Sequence, residues 1–544
     1  MAASTESTAN EDLKSKTQQS PLASQRDKEQ GNRGRFSQYF PMGYKEGFSQ
    51  WWASISPAAA ENAVLSYIPH LQKPPTHTHT GSVTPSKDEP PMQISDDKAH
   101  NANPITTQSN TDPYGPRRWN SSLVKLSGKS RALNEFSVER MEEEVEENLV
   151  ILHGYGAGLG FFYRNFEGLS RSPGWKLWAL DLLGMGRSSR PPFRVHAKDQ
   201  KAKIAETENW FVDALEEWRV QKKLDKFTLL GHSLGGYLAV SYALKYPGHL
   251  NKLILASPVG IPEDPYAVNA DMPEPEESTL TNEFHQNEND VLNKPNPNIP
   301  DAAKVGDNNN FLNARSKADK DQANAKSGEK TTPSAPRRPL PKWLTYLWEA
   351  NLSPFAIVRW SGPLGPRLVS GWTSRRFSHL PYEEAQALHD YSYSLFRQRG
   401  SGEYALTYIL APGAFARSPL IRRIGGVGRQ IIPSHQALNA SETAVGHTEK
   451  LRENGIPVIF VYGENDWMDV AGGFAAKQVL KEEKDRVLKD ATDTERKTDN
   501  GSSKVVIIKK AGHHVYLDGW EEFNEVMREE MDDVTRKRRR QKRV

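Results

Sequence analysis

The chain has 544 residues, 26% of them charged and 36% hydrophobic, with a mean hydropathy of −0.71. Length allows two or three domains, but so polar a composition means that part of the chain contributes little to packed core. A net charge of +3 gives no reason to expect nucleic acid, and the absence of cysteine excludes disulfides, thiolate nucleophiles and cysteine metal sites.

Residues 1–35 read as an unstructured N-terminus. They lack a secretory apolar core, and Glu6, Glu11, Asp12, Asp27 and Glu29 interrupt the basic residues, unlike a mitochondrial transit peptide. No apolar run along the chain is long enough to span a bilayer. Residues 36–72 are rich in aromatics (Phe36, Tyr39, Phe40, Tyr44, Phe48, Trp51, Trp52) and precede a predicted helix, Ala58–Tyr67. Rings with a polar tip suit the headgroup boundary of a membrane, so Trp51 and Trp52 are candidate membrane-binding residues; packing on the core is the alternative. Residues 73–116 read as an unstructured linker, and their THTHT tract as a polar repeat, not a metal site.

From 117 to 262 the pattern becomes globular. Asn148–Leu152, Lys176–Leu180, Phe227–Leu230 and Lys252–Ala256 are short continuous apolar runs, joined later by Pro457–Val461 and Lys504–Ile508. Such runs predict parallel strands buried on both faces. Helical patterns at Glu206–Val220 and Tyr237–Lys245 separate some of them. The alternation predicts an α/β fold, a doubly wound and mostly parallel sheet with functional groups at the carboxyl ends of its strands. Residues 263–336 read as an unstructured insertion and 337–447 as a helical cap. The cap's Trp343, Leu344, Leu347, Trp348, Phe355, Ile357, Val358 and Trp360 accompany Arg359, Arg367, Arg375 and Arg376, a mixture suited to an anionic bilayer or to packing on the core. Residues 448–534 complete the core. The tail 535–544, ending RKRRRQKRV, reads as a solvated basic segment that attracts anionic lipid or serves as an address.

Gly231-His-Ser-Leu-Gly235 lies between a predicted strand and a predicted helix, the setting in which G-x-S-x-G forms a nucleophile elbow. Ser233 is therefore the candidate nucleophile. The acid and the histidine should follow it in the chain, each at a strand end. Asp466 satisfies the first condition, with Glu464 and Asp469 as competitors, and His513 the second, with His514 beside it. The oxyanion hole is expected from the N–H of Leu234 and one from His153-Gly-Tyr-Gly-Ala-Gly158, Tyr155 before Gly156. Asp181 precedes the serine and reads as a residue that organises its loop.

Taken together, HGYGAG, DLLGMGRSS, GHSLGGYLAVSYALKYP, LILASPVGIP, YGENDWMD and AGHHVYLDGWEEFN resemble a lipid-acting branch of the α/β-hydrolases. That branch contains a yeast cardiolipin-specific deacylase, soluble lysophosphatidic acid acyltransferases and an animal lipase coactivator. The likeness is to the fungal deacylase above all, and covers about 117–262 and 340–530. It implies an α/β-hydrolase fold with a cap, a serine esterase needing no cofactor or metal, and a phospholipid substrate such as cardiolipin met at a membrane surface. It also implies acyl-CoA as co-substrate if the enzyme is a transferase, and the mitochondrial inner membrane as the place, with cytoplasm or lipid droplet as alternatives. The H-x-x-x-x-D signature of the branch falls on His513 and Asp518. Because Asp518 and Glu521 have capping-box spacing, Asp518 is expected to cap the final helix. The coactivator lacks the nucleophilic serine; Ser233 here favours an enzyme over a binding protein.

Overall fold

In the computed structural model the described residues are 40–78, 102–263, 348, 350–412, 414–432 and 451–542. Their strands are β1 Ile105–Thr107, β2 Arg117–Lys125, β3 Ala132–Arg140, β4 Glu147–Leu152, β5 Trp175–Leu180, β6 Phe227–His232, β7 Leu250–Ala256, β8 Pro457–Gly463 and β9 Ser502–Ile508. They form one sheet in the order β1-β2-β3-β5-β4-β6-β7-β8-β9. The β1-β2-β3-β5 pairings are antiparallel, and from β5 to β9 every pairing is parallel.

Every apolar run expected to be a strand is one, and alternation along each explains why. Leu149, Ile151, Leu230, Ile254 and Val461 point into one apolar layer, whereas Val150, Leu152, Leu229, Leu255 and Phe460 point into the other. A strand covered on both faces has no polar side to show, so its sequence reads as continuous. β4 runs on to β5 on one side of it, while β6 lies on the other. The crevice at that reversal is where open α/β sheets place their sites.

The helices are α1 Tyr44–Ala53, α2 Pro57–Leu65, α3 Tyr163–Leu169, α4 Gln200–Gln221, α5 Leu234–Lys245, α6 Pro354–Trp360, α7 Gly365–Arg376, α8 Tyr382–Phe396, α9 Leu406–Ile409, α10 Val470–Lys489, α11 Asp493–Thr498, α12 Val515–Asp518 and α13 Trp520–Gln541. The cap, α6 to α9, is inserted between β7 and β8, which are neighbours in the sheet.

Several expected boundaries move. The linker 73–116 is in part folded: His77 is 3% exposed and bonds Asn134 Oδ1 at 2.6 Å, β1 pairs with β2, and Asp112 forms a buried ion pair with Arg117 at 2.7 Å. Its polar composition hid these roles because the side chains satisfy one another inside the fold. Within 36–72, α2 is a core element carrying buried Glu61, Val64 and Leu65. The tail expected at 535–544 is instead the continuation of α13 to Gln541, where Arg538 pairs with Glu147 at 3.1 Å. Trp348 is half-buried against the core, and its indole N–H donates to the Leu410 carbonyl at 3.2 Å. Trp343, Phe36, Tyr39, residues 1–35 and, but for Glu263, the insertion 263–336 lie outside the described residues.

One buried charge ties the last helix to the sheet. Lys252 Nζ, on β7, donates to Glu530 Oε2 at 2.6 Å and to Asp533 Oδ2 at 2.8 Å, both on α13. Removing one partner of a buried pair strands the other. Lys252→Met should lower stability by about 3 kcal/mol, shifting the urea midpoint at constant slope; an unmoved midpoint contradicts this role.

Candidate active site

β6 ends at His232, and Ser233 then adopts φ 52 and ψ −115 before α5 begins at Leu234. A non-glycine residue with such angles is strained, and strain of this kind persists only where its surroundings hold it. Here the surroundings are tight. A Cβ on Gly231 would lie 2.4 Å from the Gly235 carbonyl oxygen, and one on Gly235 would lie 2.6 Å from that of His153. Only glycine at both positions lets the strand, the turn and the neighbouring β4 loop meet. The elbow's hydrogen bonds, Ser233 N to Ala256 O and Gly236 N to Ser233 O, are both 3.0 Å. Leu234 is the first residue of α5, a position whose N–H has no acceptor within the helix.

The loop after β8 presents the competing acids in different roles. Asp466, 3% exposed, places Oδ1 3.1 Å from His513 Nδ1 and also accepts the Met468 N–H at 3.0 Å. Asp469 instead caps α10, accepting the Ala471 N–H at 2.9 Å, and burial raises its pKa. Glu464 accepts the Lys510 N–H at 3.0 Å. Only Asp466 meets the histidine.

The two adjacent histidines also separate. His513 lies between Asp466 and Trp467, whose ring centroid is 4.8 Å away. His514 accepts from Arg376 Nε at 2.8 Å, and burial, followed by Arg376, pushes its pKa well down, so it stays neutral. His232, beside Ser233, brings its ring centroid within 4.8 Å of His513. Burial holds it neutral as well, and its Nε2–H donates to the His513 carbonyl at 3.0 Å, fixing the backbone of the residue that faces Asp466.

Asp518 does not cap α13, whose N-terminal cap is Gly519. It accepts from Arg376 Nη2 at 2.9 and 3.1 Å and from the Gly512 N–H at 3.0 Å. A buried guanidinium delivered by the cap outcompetes the local helix signal. Arg376 thereby ties α7 to both ends of the His513–Asp518 segment.

The glycine loop after β4 is positioned by Asp181. Oδ1 accepts the Leu159 N–H and Oδ2 accepts the Arg187 N–H and Asn134 Nδ2, each at 2.7 Å. His153 accepts the Leu182 N–H at Nε2 (3.0 Å) and so carries its proton on Nδ1, which donates to Gly154 O at 2.7 Å. Tyr155 stacks on Phe355 of the cap with centroids 5.1 Å apart, and Phe355 on Phe396 at 4.4 Å.

Beneath that loop lies a polar cluster that sequence reading missed. Glu61, 1% exposed, accepts from Arg187, from Asn134 Nδ2 at 3.1 Å and from Tyr391 OH at 3.5 Å. His77 lies on the other side of Arg187, Nδ1 to Nη2 3.1 Å. Glu61 sits in the helix predicted after the aromatic cluster, where the only available signal was an acid among small apolar neighbours. Arg187 was visible within DLLGMGRSS, but without a partner in view.

Residues 147–519 match the alpha/beta hydrolase fold family. The chain belongs to the α/β-hydrolase fold family. Among curated relatives, this α/β-hydrolase is 32% identical over 375 residues to a 1-acylglycerol-3-phosphate O-acyltransferase of Arabidopsis thaliana, the match covering 68% of this chain and 66% of that one. It is 30% identical to the human 1-acylglycerol-3-phosphate O-acyltransferase ABHD5, over 71% of this chain and 78% of that one. It is 27% identical to Protein ECM18 of Saccharomyces cerevisiae, over 71% of each.

Burial raises the Glu61 pKa from 4.5 to about 7, against the opposing pull of Arg187. The folded protein therefore holds this proton more tightly than the unfolded chain, so the contribution to stability is full below about pH 4.5 and is lost as pH rises through about 7. Glu61→Gln should flatten that part of the stability–pH curve, measured by chemical denaturation; an unchanged slope excludes Glu61 as its source.

Proposed function

We propose that this α/β-hydrolase is a serine-dependent lipid acyl hydrolase that removes a fatty acyl chain from a glycerophospholipid, cardiolipin or a close relative. The observation that carries the reading is Ser233 held at φ 52 on the elbow, with the His513–Asp466 pair brought to the same sheet edge. Ser233 Oγ attacks the ester carbonyl while His513 takes its proton, and Asp466 orients the ring and stabilises the imidazolium. The N–H groups of Leu234 and Tyr155 receive the developing oxyanion. His513 returns the proton to the departing alkoxide, leaving an acyl-enzyme. Water activated by His513 then releases the fatty acid and restores the serine.

A second reading is supported by the names of the relatives, which are 1-acylglycerol-3-phosphate O-acyltransferases. In it a lysophospholipid hydroxyl takes the place of water, and acyl-CoA supplies the acyl group to Ser233. The elbow serves both chemistries. The non-catalytic, lipase-regulating alternative is disfavoured by the serine itself. The described residues contain no helix long and apolar enough to cross a membrane. Contact with a lipid surface, the mitochondrial inner membrane in the first place, is therefore proposed as peripheral, with Trp51 and Trp52 as contributing residues.

Purified protein presented with mixed phospholipid vesicles should release free fatty acid, read by mass spectrometry. Ser233→Ala should lower that release by about 10⁶-fold, and retention of wild-type release would falsify the serine mechanism. Addition of labelled acyl-CoA and lysophosphatidic acid separates the readings: labelled phosphatidic acid without free fatty acid supports the transferase.

The acids offer a sharper comparison. Asp466→Asn should reduce kcat by about 10⁴-fold, whereas Asp469→Ala should leave kcat near wild type and cost about 1 kcal/mol of stability through the lost cap. The opposite order in a kcat comparison reassigns the acid.

A further inference from the structure

Between α1 and the cap helices α6 and α8 lies a hollow of 430 Å³, walled by Trp51, Trp52, Val358 and Tyr393 and carrying Arg359 and Arg397. The two arginines differ in state. Arg359 is neutralised by Glu403, which accepts from its Nη1 at 3.1 Å and its Nη2 at 2.6 Å. Arg397 is half-buried, donates from Nη2 to Ser54 Oγ and lies 5.9 Å from the centroid of the Tyr393 ring. Among the described residues it meets no carboxylate within ion-pair distance. A guanidinium partly withdrawn from water, with donors that no acid uses, is a ready partner for an anion, and its planar fork suits phosphate oxygens.

The surroundings say what kind of anion. Trp52 is 74% exposed, Trp360 71% and Phe48 51%. Phe48 and Trp52 stack with centroids 6.2 Å apart, so the rings form a patch beside the hollow. Large exposed aromatics grouped in this way mark a surface built for an apolar partner, and tryptophan prefers the headgroup level of a bilayer. A free phosphate in water has no use for that rim. A phosphate anchored in a membrane does.

We propose that the hollow binds the phosphate of an anionic phospholipid lying in the bilayer surface, with Arg397 as its ligand and Trp52 and Trp360 inserted alongside. The site is separate from Ser233 yet joined to it. Arg397 follows Phe396, which stacks on Phe355, which stacks on Tyr155 of the glycine loop. A lipid held at Arg397 therefore sets the cap, and with it the mouth of the serine site, against the membrane. The inference rests on the reading of the protein as one that works on membrane lipid, but not on the triad.

The test is co-sedimentation with vesicles of phosphatidylcholine alone and of phosphatidylcholine containing phosphatidic acid. Phosphatidic acid should raise wild-type binding, and Arg397→Gln should remove about fivefold of that gain, the effect of one basic side chain at an anionic surface. Binding to neutral vesicles and the melting temperature should stay unchanged, and Arg397→Lys should recover part of the gain. Trp52→Ser combined with Trp360→Ser should weaken binding to both vesicle types. An anionic-to-neutral ratio identical in Arg397→Gln and wild type overturns the site. Saturation of the tryptophan fluorescence response by inorganic phosphate alone, with no further response to vesicles, overturns the bilayer source. Turnover of soluble p-nitrophenyl acetate by the wild type reports on the triad separately, so its loss with lipid selectivity intact condemns the hydrolase reading and spares this one.

Discussion

The carboxylate of Asp181, buried at the end of β5, accepts from the loop after β4 through Leu159, from β3 through Asn134 and from its own turn through Arg187. The sheet brings those segments close, and the carboxylate joins their ends. Arg187 is buried at 0% exposure, with Glu61 and His77 against its guanidinium. Asp181 fixes the glycine loop, and Arg187 shapes the turn that holds Asp181. The N-terminal helix α2 supplies Glu61, the acid that meets that guanidinium. The geometry of the crevice therefore depends on a residue that precedes the first strand of the sheet. A buried cation–anion set of this kind is weak evidence of extra stability, but removing one member is expensive.

The same logic governs the cap. Arg376 reaches from α7 to His514 and Asp518, while Arg190 reaches the other way, from the β5 turn to Gln398 Oε1 at 3.2 Å and to the Arg399 carbonyl at 3.0 Å. Charged groups with several partners each, and not apolar packing alone, hold the cap over the sheet edge. The H-x-x-x-x-D spacing acquires a structural meaning in this light. Its histidine faces Asp466 and its aspartate anchors the cap's arginine, so one short segment serves both the site and its cover.

What could be read from the sequence follows the range of the forces involved. The parallel strands β4 to β9 were legible because burial on both faces is a local property that leaves a continuous apolar run. β1, β2 and β3 were not: β2 and β3 pair with each other, but RRWNSSLVK and ALNEFSVER carry charged and polar residues, so no continuous apolar run marks them. The elbow and the order of serine, acid and histidine were legible from short motifs. Asp466 could be told from Asp469 only by seeing which one His513 meets. Glu61, His77 and Arg376 were illegible for a single reason: each has its role through a buried partner more than a hundred positions away. Asp518 was misread because a local capping pattern was the only force in view.

The cap enters and leaves the sheet between adjacent strands: Ser257 N, just past β7, already donates to Val461 O of β8 at 2.7 Å. The two ends of the excursion are thus stitched together whatever lies between them. Lengthening a closed loop costs entropy only logarithmically, about 0.6 kcal/mol per doubling. Chain added or deleted there leaves Ser233, after β6, and Asp466, after β8, at the same edge of one sheet. The fold thereby separates two kinds of tolerance: the elbow and the His513–Asp466 pair are held by the sheet, while the chain between β7 and β8 can change in length without moving them.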